Sequence, residues 1–261
     1  MDLGLNGKVI VITGGGAGIG AAITRACLAE GARVAVLARH SANVDEFMAE
    51  MEASGARCEL VEANLEDARR CEQAIREVEE RFGSIDGLVN NAGNNDRVGL
   101  ESGSVEQFVA SLQRNLIHYY ALAHYALPAL KRSQGSIVNI SSKVALTGQG
   151  GTSGYAAAKG AQLALTREWA AELLPYGIRV NAVLPAEVMT PLYRRLLDAT
   201  HDPEAELKHI TEKIPLGRRM TLASEIAAAT VFLLSATQSG HTTGQHLVVD
   251  GGYVHLDRAL T

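Results

Sequence analysis

An α/β fold, one domain built on a doubly wound parallel sheet of seven strands, is predicted by three observations. Short apolar runs alternate with helix-patterned stretches from residue 8 to residue 250. The first of those runs, KVIVIT at 8–13, is continuously apolar, as a strand covered on both faces is. A glycine cluster, Gly14, Gly18 and Gly20, separates the first run from the first helical stretch. Parallel α/β units bring bare backbone close to a ligand at that point.

The chain has 261 residues, 47% of them hydrophobic and 20% charged. That fits a single domain over 1–261 with a sizeable core. Net charge is -5 with no basic block, so nucleic acid is not an expected partner. Cys27, Cys58 and Cys71 are scattered; neither a disulfide framework nor a metal site is expected, and a reducing cytoplasm is. The first residues lack the order of a signal peptide. No apolar run reaches the roughly 20 residues of a membrane span, so a membrane is not expected either.

KVIVIT at 8–13 reads as the first strand, followed by a helix to Glu30 that Gly31 closes. RVAVL at 33–37 completes a βαβ unit. The glycines admit a pyrophosphate, and the helix N-terminus offers it free N–H groups. The spacing fits G-x-G-x-x-G only if Ala21 stands for the third glycine; Thr13-Gly14-x-x-x-Gly18-Ile19-Gly20 is the better description. A dinucleotide site is expected at Gly14, Gly18, Ile19 and Gly20. An acidic residue after the second strand would hold the 2′-hydroxyl of NAD. Ala38, Arg39 and His40 stand there instead. Arg39 suits a 2′-phosphate, so NADP is the preferred cofactor expected, with NAD possible.

A helix over 43–54 and a strand over 57–62 follow, with Asn64 and Leu65 placed near an adenine. A charged amphipathic helix over 67–82 leads to a strand over 85–89 and to Asn90, Asn91, Ala92 and Gly93. Asn91 faces cofactor, strand backbone or both. Residues 104–132 read as mostly helical, with Pro128 expected to bend or end the helix. Asn115 is a poor helix former inside it. Residues 119–127 are apolar almost all round, as in a helix buried in the core or against another subunit.

SIVNI at 136–140 is a strand. After a loop rich in Gly, Ser and Thr comes a helix over 155–174, on which Tyr155 and Lys159 share a face. A lysine ammonium near a phenol favours the phenolate and lowers its pKa from about 10. Such a phenol passes protons near neutral pH, and Ser142 can hold the substrate oxygen beside it. A strand over 178–184 and a final helix over 224–234 precede the last strand at 245–250. Between them, 187–220 reads as a substrate-loop insertion and lid.

Taken together, Thr13-Gly-x-x-x-Gly-x-Gly20, Asn90-Asn-Ala-Gly93, Asn115, Ser142, Tyr155-x-x-x-Lys159, Arg179-Val-Asn181 and Asp250-Gly-Gly252 resemble the short-chain dehydrogenase/reductase family. The resemblance spans nearly the whole chain and implies a single-domain Rossmann fold in a homo-tetramer or dimer. It makes Tyr155 the proton-transferring residue and has Ser142 steady the substrate oxygen. Lys159 then holds the nicotinamide ribose and lowers the Tyr155 pKa, and Asn115 anchors a relay water. Asn91 and Gly93 line the cofactor, and Val188 and Thr190 contact its nicotinamide end. The family's Pro-Gly after the sixth strand is Pro185-Ala186 here, so a different loop path is expected.

Residues 184–191 and the tail 252–260 resemble the L-fucose dehydrogenases of that family, which oxidise an aldose at its anomeric carbon. Independently, Asn94, Asn95, Lys143, Gln149 and Glu187 follow strand ends. With Ser142 and Tyr155 they supply donors and acceptors for a small molecule with several hydroxyls, a sugar. The rival readings are a 3-oxoacyl or other ketone reductase of the family, and a non-catalytic NADP-binding redox sensor.

Overall fold

A computed structural model describes residues 1–256. Residues 257–260 of the tail motif lie outside the described residues. In chain order the elements are β1 (Val9–Thr13), α1 (Gly18–Ala29), β2 (Arg33–Ala38), α2 (Ala42–Ala53), β3 (Cys58–Glu62), α3 (Ala68–Phe82) and β4 (Gly87–Asn90). Next come α4 (Val105–Leu112), a π-helical turn (Gln113–Ile117), α5 (His118–Ser133), β5 (Ser136–Ile140), α6 (Ser153–Glu172), β6 (Arg179–Pro185) and β7 (Val188–Met189). The chain continues through α7 (Pro191–Asp198), α8 (Pro203–Thr211), β8 (Thr221–Leu222), α9 (Ala223–Leu234), α10 (Ala236–Ser239) and β9 (His246–Val249).

Seven strands form one sheet in the order β3-β2-β1-β4-β5-β6-β9, every pairing parallel. Side chains alternate across it because successive Cβ atoms point to opposite faces. Val9 and Val11 of β1 pack with Ile75, Leu122 and Trp169 of α3, α5 and α6. Ile10 and Ile12 pack with Ile23 and Val231 of α1 and α9. The fully apolar strands are explained by this double covering.

Strand order reverses between β1 and β4, and the crevice opens there. One side chain ties the two strand ends together. The buried Thr13 hydroxyl accepts from the Asn91 and Ala92 N–H groups at 2.8 and 2.9 Å. Asn91 Nδ2 donates back to the Thr13 carbonyl at 2.9 Å. Of the two expected roles for Asn91, the side chain is seen in the strand-backbone one.

One expectation on the long helix needs correction. Pro128 neither ends it nor coincides with its break: α5 runs on to Ser133. Pro128 and His124 are both exposed, so the carbonyl that loses its donor lies on the solvent side. The interruption falls at the π-helical turn around Asn115. Residues 119–127 divide their duties: Tyr119, Leu122 and Ala126 are in the core, whereas Tyr120 is 56% exposed. The 187–220 segment forms α7, α8 and a two-stranded β7–β8 pair. Ala186 is not among the residues with positive φ, so the Pro185-Ala186 step carries no left-handed strain.

Thr13→Val keeps the shape but leaves two part-buried N–H groups without an acceptor. Urea unfolding should show a loss of about 2–4 kcal/mol; a change within experimental error would mean the strand ends are held by something else.

Candidate active site

A cleft of about 1140 Å³ lies over the carboxyl ends of β1, β4, β5 and β6. Its floor on one side is the glycine turn. Gly14 and Gly18 have φ of 63° and 52°, and a Cβ on Gly20 would sit 2.1 Å from the Gly14 carbonyl oxygen. Gly20 is thus the spacer behind the turn, while Gly14, Gly18 and Ile19 line the cleft. The α1 N-cap is Ala17, whose side chain makes no capping bond. The first N–H groups of α1 are left for a ligand, as a pyrophosphate requires. The residues fit a dinucleotide.

Across the cleft, Gly93 has φ of 150°, and a Cβ there would meet Asn115 Oδ1 at 2.8 Å and Lys159 Nζ at 4.0 Å. Asn115 is fully buried and clamps this loop. Its Oδ1 accepts from the Asn94 N–H at 2.8 Å, its Nδ2 donates to the Ser111 carbonyl at 3.1 Å, and its own carbonyl accepts from Gln162 Nε2 at 2.8 Å. Val188 and Thr190 line the opposite wall. Thr190 caps α7 by accepting from the Tyr193 N–H, and its methyl lies 3.5 Å from where a Cβ of Gly18 would be.

Arg39, His40, Asn64 and Leu65 stand outside this lining. Arg39 is exposed at the end of β2. His40 Nδ1 pairs with Asp45 Oδ1 at 2.6 Å, a bond that raises the imidazole pKa above its usual value. Asn64 Oδ1 accepts from the Glu66 N–H at 3.3 Å, and Leu65 packs on the core.

Ser142, Tyr155 and Lys159 come together in the cleft. Lys159 Nζ donates to the Ile140 carbonyl at 2.8 Å and lies 5.4 Å from the Tyr155 ring centroid. The electrostatics correct the sequence reading. Tyr155 is pushed up to about 12, by burial first, against a hydrogen bond with Ser142 that pulls it down. Burial also brings Lys159 down to about 7. Spacing placed the two side chains on one face, but desolvation of both outweighs the attraction expected between them.

Of the expected substrate contacts, Asn94, Lys143, Gln149 and Glu187 line the cleft. Asn95 does too, but its Oδ1 is engaged by Thr152 Oγ1 at 2.6 Å and the Arg97 N–H at 3.0 Å. Buried Lys143 forms an ion pair with Glu187. Two residues missed in the sequence join them. Tyr193 Oη donates to Glu187 Oε2 at 2.8 Å, and the Tyr253 ring centroid lies 4.1 Å from Lys143 Nζ. Thr190-Pro191, a helix start, was the available signal for Tyr193. For Tyr253 it was Asp250-Gly-Gly252, whose carboxylate accepts from the Gly252 and Val254 N–H groups at 2.8 and 2.7 Å.

The Lys159 value carries a stability consequence. Its folded pKa, about 7, lies below the ordinary 10.5. The unfolded chain therefore holds more protons between those values, so the lysine's destabilising effect is full below pH 7 and fades as pH rises toward 10.5. Lys159→Met should be more stable than the parent by about 2–4 kcal/mol at pH 6. Unfolding curves from pH 6 to 10 should show that advantage shrinking; a constant difference would contradict the assignment.

The chain was compared with known proteins. The family described as Enoyl-(Acyl carrier protein) reductase matches residues 14–254. L-fucose dehydrogenase of Mus musculus is 40% identical over 248 residues, covering 95% of this chain and 88% of that protein. The crystal structure of Cj0485 dehydrogenase superposes with a TM-score of 0.94 at 44% identity, covering 100% of this chain and 99% of that one. Thermoplasma acidophilum aldohexose dehydrogenase gives 0.88 at 31% identity, over 99% and 98% of the two chains. Sheet order, glycine turn and the Ser142, Tyr155, Lys159 cluster agree with these matches: the chain belongs to the short-chain dehydrogenase/reductase family.

Proposed function

We propose that this oxidoreductase is an aldose 1-dehydrogenase that oxidises L-fucose or a close stereoisomer to its lactone, with NADP preferred over NAD. It acts on a CH–OH group of a small molecule, as its family does. The observation that carries the sugar reading is the Lys143–Glu187–Tyr193 network in the cleft that holds Tyr155. A charged donor, a charged acceptor and a phenol, with Asn94 and Gln149 nearby, match several hydroxyls. The same groups left unpaired by an apolar ketone would oppose its binding. The names borne by the mouse and Thermoplasma relatives point the same way.

The backbone of Gly14, Gly18 and Ile19 would hold the pyrophosphate, Val188 and Thr190 the nicotinamide end, and Lys159 the ribose. When bound, the nicotinamide accepts a hydride from the substrate carbon. Ser142 holds the substrate oxygen, and Tyr155 takes its proton. The carbon loses hydride and the oxygen loses a proton, so the anomeric C–OH becomes the lactone carbonyl. Lys159 assists only in its charged form, which favours the phenolate. Near its pKa of about 7 that form is about half populated. The 187–220 segment, tied to the residues after β5 by the Glu187–Lys143 ion pair, serves as lid. Exposed Val105, Val109 and Tyr120 on α4 and α5 suit packing against a second copy within a homo-tetramer.

A turnover panel of free aldoses, acyl thioesters and steroids, each with NAD and NADP, tests the proposal. Activity should peak on L-fucose or a near stereoisomer; turnover confined to thioesters or ketones would overturn it. For the cofactor, Arg39→Ala should raise the KM for NADP by about tenfold or more and that for NAD little. An equal rise for both would remove Arg39 from phosphate recognition.

A further inference from the structure

We propose that Tyr119 is a positioning residue for proton transfer, holding the Lys159 ammonium in place beside Tyr155 through a shared backbone carbonyl. The proposal rests on Tyr155 and Lys159 being the proton-transfer pair.

Lys159 Nζ sits between two phenol rings, 5.4 Å from the Tyr155 centroid and 5.6 Å from that of Tyr119. Behind it, the Ile140 carbonyl accepts from Lys159 Nζ at 2.8 Å and from Tyr119 Oη at 3.0 Å. The two donors lie 3.5 Å apart, with Lys159 directed at the Tyr119 oxygen. A hydroxyl that donates to a carbonyl keeps its lone pairs for an N–H donor. The ammonium thus has two oxygen acceptors, the Ile140 carbonyl and the Tyr119 hydroxyl, while Lys159 lines the cleft. Tyr119 is fully buried. Burial keeps its phenol far above the ordinary value, so it stays neutral and does not compete for the proton.

The placement follows from the π-helical turn. Asn115 within the turn and Tyr119 just after it are four residues apart and both fully buried. One grips the loop at Gly93; the other reaches the end of β5. Tyr119 meets Lys159 from α5, and Asn115 holds the loop beside it. The titratable groups facing the pair are His118 and Tyr119 from the α5 side and, from the loop after β4, Asp96. His118 is kept neutral, its pKa lowered to about 4 mainly by burial. Asp96 raises Tyr155 slightly. The Tyr119 hydroxyl is therefore the neutral group whose removal changes the ammonium's surroundings without adding or deleting a charge.

Tyr155 and Lys159 titrate as a coupled pair, so two quantities move separately. Tyr119→Phe makes the ammonium less favourable. The pair then gives up its first proton at lower pH, and more of the product carries neutral lysine with neutral phenol. The acid limb of the kcat profile for L-fucose oxidation should shift down by about half to one pH unit. The plateau should fall about three- to tenfold. Phe fills the same space, and Lys159 remains on the Ile140 carbonyl, so the fold is retained. A substrate-independent measurement accompanies it: NMR titration of the Lys159 ε-carbon signal, assigned by its loss in Lys159→Met. Its midpoint should move down in Tyr119→Phe. An unchanged midpoint, or a lower plateau with the limb in place, would make Tyr119 a core residue only. If Tyr155→Phe keeps full turnover, the proton-transfer reading itself fails, whatever Tyr119 does.

Discussion

The carboxyl end of the sheet depends on one hydroxyl. Thr13 ends β1, and its Oγ1 takes the first two N–H groups after β4. This closes the reversal point of the sheet, where the chain on either side departs toward opposite faces. The glycine turn starts one residue after Thr13, and the Asn91–Gly93 loop starts at its partners. Gly93 in turn abuts Asn115 and Lys159. The glycine-turn side and the Tyr155 side of the cleft are therefore set against each other by a short contact between Thr13 and the Asn91–Ala92 step.

Given that frame, the electrostatics are a contest between burial and attraction. A charge about 5 Å away, at the effective dielectric of a protein, is worth about 3 kcal/mol, or about two pKa units. Burial raises Tyr155 to about 12. A fully charged Lys159 would return the phenol to its ordinary range and no further. The lysine's own burial reduces the charge that does this work. Acceptors around the ammonium therefore matter as much as its distance from the phenol, and the Ile140 carbonyl is the strongest of them.

Much of this was legible in the chain. Short runs rich in β-branched residues located the central strands, since their length and their flanking glycines set them apart from buried helices. The spacing of Tyr155 and Lys159 put them on one face, and the glycines located the turn. What failed has a common cause. Residue spacing gives direction along an element and says nothing of desolvation, so the Tyr155 shift was expected with the wrong sign. Pro128 was expected to bend or end a helix, and it does not end this one, because a proline on an exposed face leaves its orphan carbonyl to water. Tyr119 and Tyr253 act on Ile140 and Lys143, far away in the sequence. Tyr193 is six residues from Glu187, and its cap signal was local but unread.

On the sugar reading proposed above, the ion pair in the cleft is what favours a polyol there. Lys143 has three N–H donors and Glu187 about four lone-pair sites, and their mutual bond and Tyr193 use few of them. Separating the two charges would leave each buried and alone, at a cost of several kcal/mol. A ligand therefore gains by adding to the network, with hydroxyls that accept from the lysine and donate to the carboxylate while the pair stays closed. An apolar ketone would strip water from the same unfilled sites and return nothing. Since Glu187 opens the 187–220 segment and Lys143 follows β5, occupation of the remaining sites would, on the proposed reading, also bear on how firmly that segment is held over the cleft. On that proposal, recognition of hydroxyls and closure over Tyr155 draw on the same carboxylate.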